Sequence, residues 1–146
     1  MIVQDFYLKQ WDWQVRVYYF VDDYYYDYIV EDSKNLGANN AEQMVHKLAS
    51  SGLNSGLTFS SPIDRSSVVV IGETTSNSEF QSTLDHEKGH LCVHIALFDN
   101  IDFISEEFQY LAGEIGKQMY PVAKYFLCEH CSKDVKTLVG TLVYNE

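Results

Sequence analysis

The five residues His86–His90 constrain this chain more than any other stretch, because they read His-Glu-Lys-Gly-His. This is the pattern H-E-x-x-H, which on a helix makes the two histidines metal ligands and the glutamate a general base. Four residues of α-helix advance about 6 Å and turn about 400°, so His86 and His90 project from nearly the same face. Glu87 lies about 100° further round. The spacing therefore predicts a Zn²⁺ ion held by His86 and His90, with Glu87 beside a water on that ion.

The sequence around the motif predicts the helix that the motif needs. Ser76 and Glu79 form a capping box, which is a signature of a helix N-terminus. With about 100° of rotation per residue, one apolar stripe contains Phe80, Leu84, Leu91 and Ile95. Lys88, inside the motif, points to a separate solvent face. Gly89 is expected where the sheet or another helix passes close to the helix backbone.

A zinc ion that keeps a position open for water needs a third protein ligand, and the next helical stretch offers one. Ser105 is the predicted N-cap of a helix over residues 106–119. Glu107 shares a face with Glu114 beside an apolar arc, whereas Glu106 points with a solvent face. Glu107 is therefore the predicted third ligand. Glu114 lies about 10 Å further along the axis, so it cannot bind the same ion as Glu107. It is the alternative third ligand.

Residues 86–94 read H-E-K-G-H-L-C-V-H, and they are followed by Glu107, Leu111-Ala112 and Met119-Tyr120-Pro121. This series resembles the zincin-like metallopeptidases of the ImmA/IrrE type, which typically show H-E-x-G-H-L-x-x-H, then E-A-N-x-F-A and M-P. The resemblance covers about residues 80–121 and places Glu107 at the position of that family's third ligand. It implies a small α+β, gluzincin-like fold. In such a fold a short twisted β-sheet packs on the H-E-x-x-H helix, and the following helix carries the third ligand.

These features together predict one zincin-like domain spanning residues 1–146. The predicted function is that of a zinc metallopeptidase acting on a peptide or protein substrate. Glu87 would take a proton as a zinc-activated water attacks the peptide carbonyl, and would pass it to the leaving amine. Two other functions stay open. The chain could be a zincin-like regulatory protein that binds metal and cleaves nothing, or an α+β interaction domain in which the motif is a coincidence.

The net charge of −11 argues against non-specific binding to nucleic acid or to an anionic membrane. The longest apolar runs are far too short to cross a bilayer. The first residues show neither the basic start nor the long apolar segment of a signal peptide. With Cys92, Cys128 and Cys131 odd in number, reduced thiols in the cytoplasm are expected. Cys128 and Cys131 form one C-x-x-C pair, which is half of a structural zinc site.

Strands and further helices are predicted from local composition. Aromatic and β-branched runs predict strands at residues 5–8, 13–21, 57–60 and 67–72, the last two as a possible hairpin around Pro62. Val68–Ile71 is expected either to form the rim of the substrate cleft, as the resemblance implies, or to be an interior strand. Helices are predicted at residues 27–36 and 40–48, and Pro121 is expected to kink or end the third-ligand helix. Residues 134–143 fit either a helix or a strand.

Three more side chains belong near the predicted site. His94 follows His86 by about 12 Å along the helix axis, so it cannot bind the same ion. It is either a residue that supports the site or donates to the reacting oxyanion, or a histidine at the edge of the core. Tyr110 and Tyr120 are further candidate oxyanion donors.

Overall fold

The computed structural model describes residues 1–34, 46–47, 49–50 and 54–130, and the backbone of 142–145. Five strands form one mixed sheet in the order β3-β4-β2-β1-β5: β1 (Ile2–Leu8), β2 (Trp13–Val21), β3 (Gly56–Ser61), β4 (Ser66–Gly72) and β5 (Leu142–Asn145). The helices are α1 (Tyr26–Lys34), α2 (Asn77–Asp99) and α3 (Glu106–Leu127). The predicted α+β class is confirmed, with the H-E-x-x-H motif inside α2.

The sheet combines two antiparallel hairpins through a parallel pair. β1 pairs with β2, and β3 pairs with β4, both antiparallel, while β2 and β4 run parallel. The predicted hairpin is therefore confirmed. Because β4 has a strand on each side and is buried along its length, it is interior, and the expectation that it forms a rim is wrong. β3, and not β4, forms the edge of the sheet on this side.

The two faces of the sheet are covered by different helices, because side chains alternate along each strand. Trp13, Val15, Val17 and Tyr19 of β2 belong to the core shared with α2 and α3. The predicted apolar stripe of α2 is buried in that same core and contains Phe80, Leu84, Leu91 and Ile95. On the opposite face Tyr18 packs in a smaller cluster with Ile29 of α1. The sheet therefore fixes the direction in which α2 presents its remaining side chains.

Helices α2 and α3 begin at the residues that their N-caps predict. The Ser76 hydroxyl accepts a hydrogen bond from the Glu79 backbone N–H at 3.2 Å. The Ser105 hydroxyl does the same for Phe108 at 3.2 Å. These bonds satisfy amides that have no partner within the helix. Helix α3 continues through Pro121 to Leu127, so the proline does not end it.

Helix α1 is held to the sheet by charged side chains. The Arg16 guanidinium pairs with both oxygens of Asp5, at 2.6 and 2.8 Å, and with Asp32 of α1 at 2.8 Å. The Tyr18 hydroxyl also donates to Asp32, and burial raises the pKa of that hydroxyl. Such bidentate, charge-assisted contacts fix orientation as well as distance. They join α1 to the sheet face opposite the H-E-x-x-H helix.

Some predictions lie outside the described residues. The helix expected at 40–48 is described only at His46 and Lys47, which are helical and exposed. Of the stretch at 134–143, only Leu142 and Val143 are described, as part of β5. In the parts of the chain that the structure describes, no helix combines the length and the apolar character needed to cross a membrane.

Candidate metal centre

Helix α2 brings the two motif histidines together on its exposed side. The Nε2 atoms of His86 and His90 are 3.1 Å apart, and the rings meet edge to face with centroids 4.7 Å apart. Two nitrogens that bind one tetrahedral Zn²⁺ at about 2.0–2.1 Å are about 3.3 Å apart. At the observed distance a neutral imidazole can also donate to its neighbour. The pair thus has close to the spacing that a shared ion requires.

Glu87 lies on the protected side of the same helix turn. Its side chain is only 3 % exposed, whereas both histidines are exposed. One ligand atom from each of His86, Glu87 and His90 lies within 4.8 Å of the others. Over residues 1–34 and 54–130, no other set of three histidine, cysteine, aspartate or glutamate side chains converges in this way. The structure therefore places the predicted base beside the predicted ligand pair.

The inward face of edge strand β3 covers this turn of α2. Gly56, Thr58 and Ser60 alternate along the strand and point toward the helix. A Cβ on Gly56 would lie 2.7 Å from Cγ of Glu87. The Thr58 hydroxyl donates to Oε2 of Glu87 at 2.6 Å, and Ser60 contacts His94 at 2.8 Å. Sequence reasoning missed these three residues, although small residues alternating with apolar Leu57 and Phe59 were a usable signal.

His94 is connected to the sheet by a chain of hydrogen bonds. Its Nδ1 is 2.8 Å from the Ser60 hydroxyl, which lies 2.6 Å from the Ser67 hydroxyl. The indole N–H of Trp13 donates to Ser67 at 2.8 Å. Burial lowers the pKa of His94, and the neighbouring His90 lowers it further, so the ring is neutral at pH 7. These contacts agree with a histidine at the edge of the core.

The third ligand is the part of the predicted site that the structure does not bring to the histidine pair. Glu107 is exposed, and neither it nor Glu114 belongs to the converging group. Lys88 Nζ lies 3.2 Å from the position of a Cβ on Gly116, so the Lys88 side of α2 packs against α3. That side lies nearly opposite the two motif histidines around the helix, so this contact does not bring α3 to the histidine pair. The choice between Glu107 and Glu114 stays a prediction.

Two residues inside the motif differ from expectation. Lys88 does not point straight to solvent, since its side chain is 27 % exposed and lies against Gly116 with Asp85 3.8 Å away. Gly89 is not needed for a close approach, because a Cβ there would meet nothing within 4 Å. The glycine that does make room is Gly56 on β3. Close packing around the motif therefore comes from the edge strand.

A cavity of about 290 Å³ opens beside the buried base. It lies between residues 54–56 at the start of β3 and the α2 residues Ser82, Thr83, His86 and Glu87. Apart from the two motif residues, this lining is uncharged. The buried Glu87 thus borders an open space on the side of β3.

The cysteines and tyrosines do not join the centre. Burial raises the pKa of the Cys92 thiol to about 11, so at neutral pH it is not the thiolate that binds metal. Cys128 is exposed, and Cys131 lies outside the described residues, so the C-x-x-C pair stays untested. Tyr110 and Tyr120 are 66 % and 61 % exposed on α3, which leaves their predicted role open.

No model of a known protein family matches this chain, and no curated protein or solved structure matches it significantly. The resemblance to zincin-like metallopeptidases therefore depends on the motif residues alone.

Proposed function

We propose that this chain is a zinc-dependent metallopeptidase with a zincin-like fold, and that its substrate is a peptide or protein. The observation that carries the proposal is the convergence of His86, Glu87 and His90, with ligand atoms within 4.8 Å of one another. The two exposed imidazoles offer an ion their Nε2 atoms, while the carboxylate is buried beside an open cavity. Exposed histidines suit the role of metal ligands, and a buried carboxylate suits the role of general base.

The donor set fits zinc better than the hard cations. Ca²⁺ and Mg²⁺ prefer shells made almost entirely of oxygen, whereas two imidazoles with one carboxylate suit Zn²⁺. His86 and His90 would hold the ion, with a glutamate of α3, either Glu114 or Glu107, as third ligand. A bound Zn²⁺ would polarise the scissile carbonyl and lower the pKa of a water molecule.

The protein's own residues supply the rest of the chemistry. Glu87 accepts the proton of the attacking water and returns it to the leaving amine. Thr58 donates to Oε2 of that carboxylate, and we assign the proton of the attacking water to Oε1. Strand β3 is an edge strand, and an extended peptide can add to such an edge through main-chain hydrogen bonds. A substrate in that position lies across the turn of α2 that carries Glu87.

The proposal is tested by metal analysis together with a cleavage screen. Protein purified without chelator and offered zinc should bind one ion per chain. His86→Ala and His90→Ala should lose the ion, and His46→Ala, which alters an exposed histidine outside the site, should keep it. Glu87→Gln should keep zinc and cleave about 10²–10⁴-fold more slowly, as expected for loss of a general base. Glu31→Gln on α1 is the matched control.

The outcomes separate the three functions. A wild-type protein that binds no zinc would overturn the proposal and favour the interaction domain. Zinc bound by His86 and His90 without cleavage of any protein in a complex lysate would favour the regulatory metal-binding protein. Cleavage that persists in Glu87→Gln would assign the reaction to other residues.

A further inference from the structure

Glu87 needs a partner that keeps its carboxylate in place. The side chain is 3 % exposed, and a carboxylate removed from water is stable only when other groups donate hydrogen bonds to it. It also has three side-chain torsions, so burial alone does not fix the direction of its oxygens. A general base must be within hydrogen-bond reach of the proton it takes. Whatever orients this carboxylate therefore controls the reaction.

Thr58 makes the contact that provides this orientation. Its Oγ1 is 2.6 Å from Oε2 of Glu87, which is the distance of a short hydrogen bond from a hydroxyl to a carboxylate. The same Oγ1 is 3.2 Å from the main-chain oxygen of Glu87. Thr58 thus contacts both the main chain and the carboxylate of Glu87, which fixes the carboxylate relative to the helix. The two residues are 29 positions apart in sequence, so the sheet sets this contact.

Gly56 limits the same side chain from another direction. A Cβ at this position would lie 2.7 Å from Cγ of Glu87 and 2.9 Å from the carbonyl oxygen of Val70. Only glycine leaves room there for the Glu87 side chain. The carboxylate is therefore confined between a hydrogen-bond donor and the backbone of the same strand.

We propose that Thr58 is a positioning residue for the peptidase reaction, acting through Glu87. This inference rests on the proposed function. Thr58 would touch neither metal nor substrate. It donates to Oε2, which leaves Oε1 outside that hydrogen bond. Because His86 and His90 are exposed on α2 and the Thr58 hydroxyl is engaged by Glu87, zinc binding should not depend on Thr58.

The first test is kinetic. Thr58→Val preserves shape and removes the hydroxyl, and it should lower kcat by about 10–100-fold with zinc content and KM unchanged. Thr58→Ser keeps the hydroxyl and should restore most of kcat. Thr75→Val removes an exposed hydroxyl that contacts Asn54 rather than Glu87, and it is the control. Equal kcat in Thr58→Val and wild type, or equal losses in the valine and serine variants, would overturn the proposal.

The second test does not need activity. In metal-free protein, the loss in Tm caused by Thr58→Val should be much smaller in a Glu87→Ala background than in wild type, because the two residues are coupled. The same loss in both backgrounds would overturn the positioning role whatever the activity. Coupled losses in a protein without peptidase activity would overturn the proposed function and leave Thr58 as the residue that orients Glu87.

Discussion

At the scale of single residues, His94 shows how a side chain beside the histidine pair takes its properties from the sheet. Its Nδ1 contacts Ser60, which belongs to a hydrogen-bonded series ending at the buried Trp13. His86 and His90, on the same helix, have no such link to the sheet among the described contacts and are exposed. One helix thus carries histidines with two different environments.

This difference predicts a pH dependence of stability. The folded-state pKa of His94 is lowered from its ordinary 6.5. As pH falls below about 6.5, the unfolded chain takes up a proton that the folded protein resists, so the free energy of unfolding decreases. His94→Asn keeps an acceptor for Ser60 and cannot titrate. Its Tm should fall less than that of wild type between about pH 7 and pH 5.

The measurement is a set of thermal melts on metal-free protein, so that no bound ion competes with protons. His46→Asn, at an exposed histidine, is the control and should follow the wild type. Identical pH profiles for wild type and His94→Asn would show that His94 titrates alike in both states.

The residues of the site divide by whether their contacts are local. His86, Glu87 and His90 are predictable because one turn of helix brings them together, whatever the rest of the fold does. The contact of Thr58 with Glu87 is not predictable in this way, because the alternation of small and apolar residues marks one side of the strand without saying which element lies against it. Hydrogen bonds between distant elements depend on sheet order, which local patterns do not contain.

At the scale of elements, β3 combines two tasks on opposite sides. Leu57 and Phe59 pack against the cluster beneath α1, while Gly56, Thr58 and Ser60 contact the H-E-x-x-H helix. The side chains on the polar side of an edge strand can usually vary in size. At Gly56 a Cβ would lie under 3 Å from both Glu87 and the Val70 backbone, so this glycine is a sensitive position.

Gly56→Ala should therefore destabilise the protein by about 1–3 kcal/mol, as overpacking commonly does, and should reduce activity while zinc is retained. The added methyl meets Glu87 Cγ at 2.7 Å and a backbone oxygen that cannot rotate away. Gly113→Ala on α3 is the matched control, since a Cβ there meets nothing within 4 Å. It should stabilise the helix by roughly 0.5–1 kcal/mol.

Urea unfolding of both variants, with zinc content measured in parallel, checks this prediction. A Gly56→Ala protein as stable and as active as wild type would mean that β3 can move away from α2.

The position of β3 in the sheet could not be predicted from the sequence. Caps such as Ser76 and Ser105 are local and predictable, but which strand lies at the edge depends on the parallel pairing of β2 with β4.

At the scale of the whole molecule, α2 and α3 are two helices of one core that are joined by residues 100–105. The class of fold was predictable because apolar periodicity assigns faces to each helix and strand. The level at which α3 lies beside α2 was not, because it depends on how both helices pack on the sheet. A metal ion bound between them would add a link that the apolar core does not supply.

This link predicts which glutamate completes the site. Zinc that binds only the folded protein raises stability by about 2.7 kcal/mol at a hundredfold excess over Kd, so the rise in Tm reports affinity. Glu107 is the predicted third ligand, so Glu107→Gln should lose most of the zinc-induced rise. The carboxylate of Glu114 accepts a hydrogen bond from Gln118 at 3.0 Å, so Glu114→Gln should keep the rise. The reverse result would mean that Glu114 is the ligand, whereas an unchanged rise in both variants would place the third ligand elsewhere.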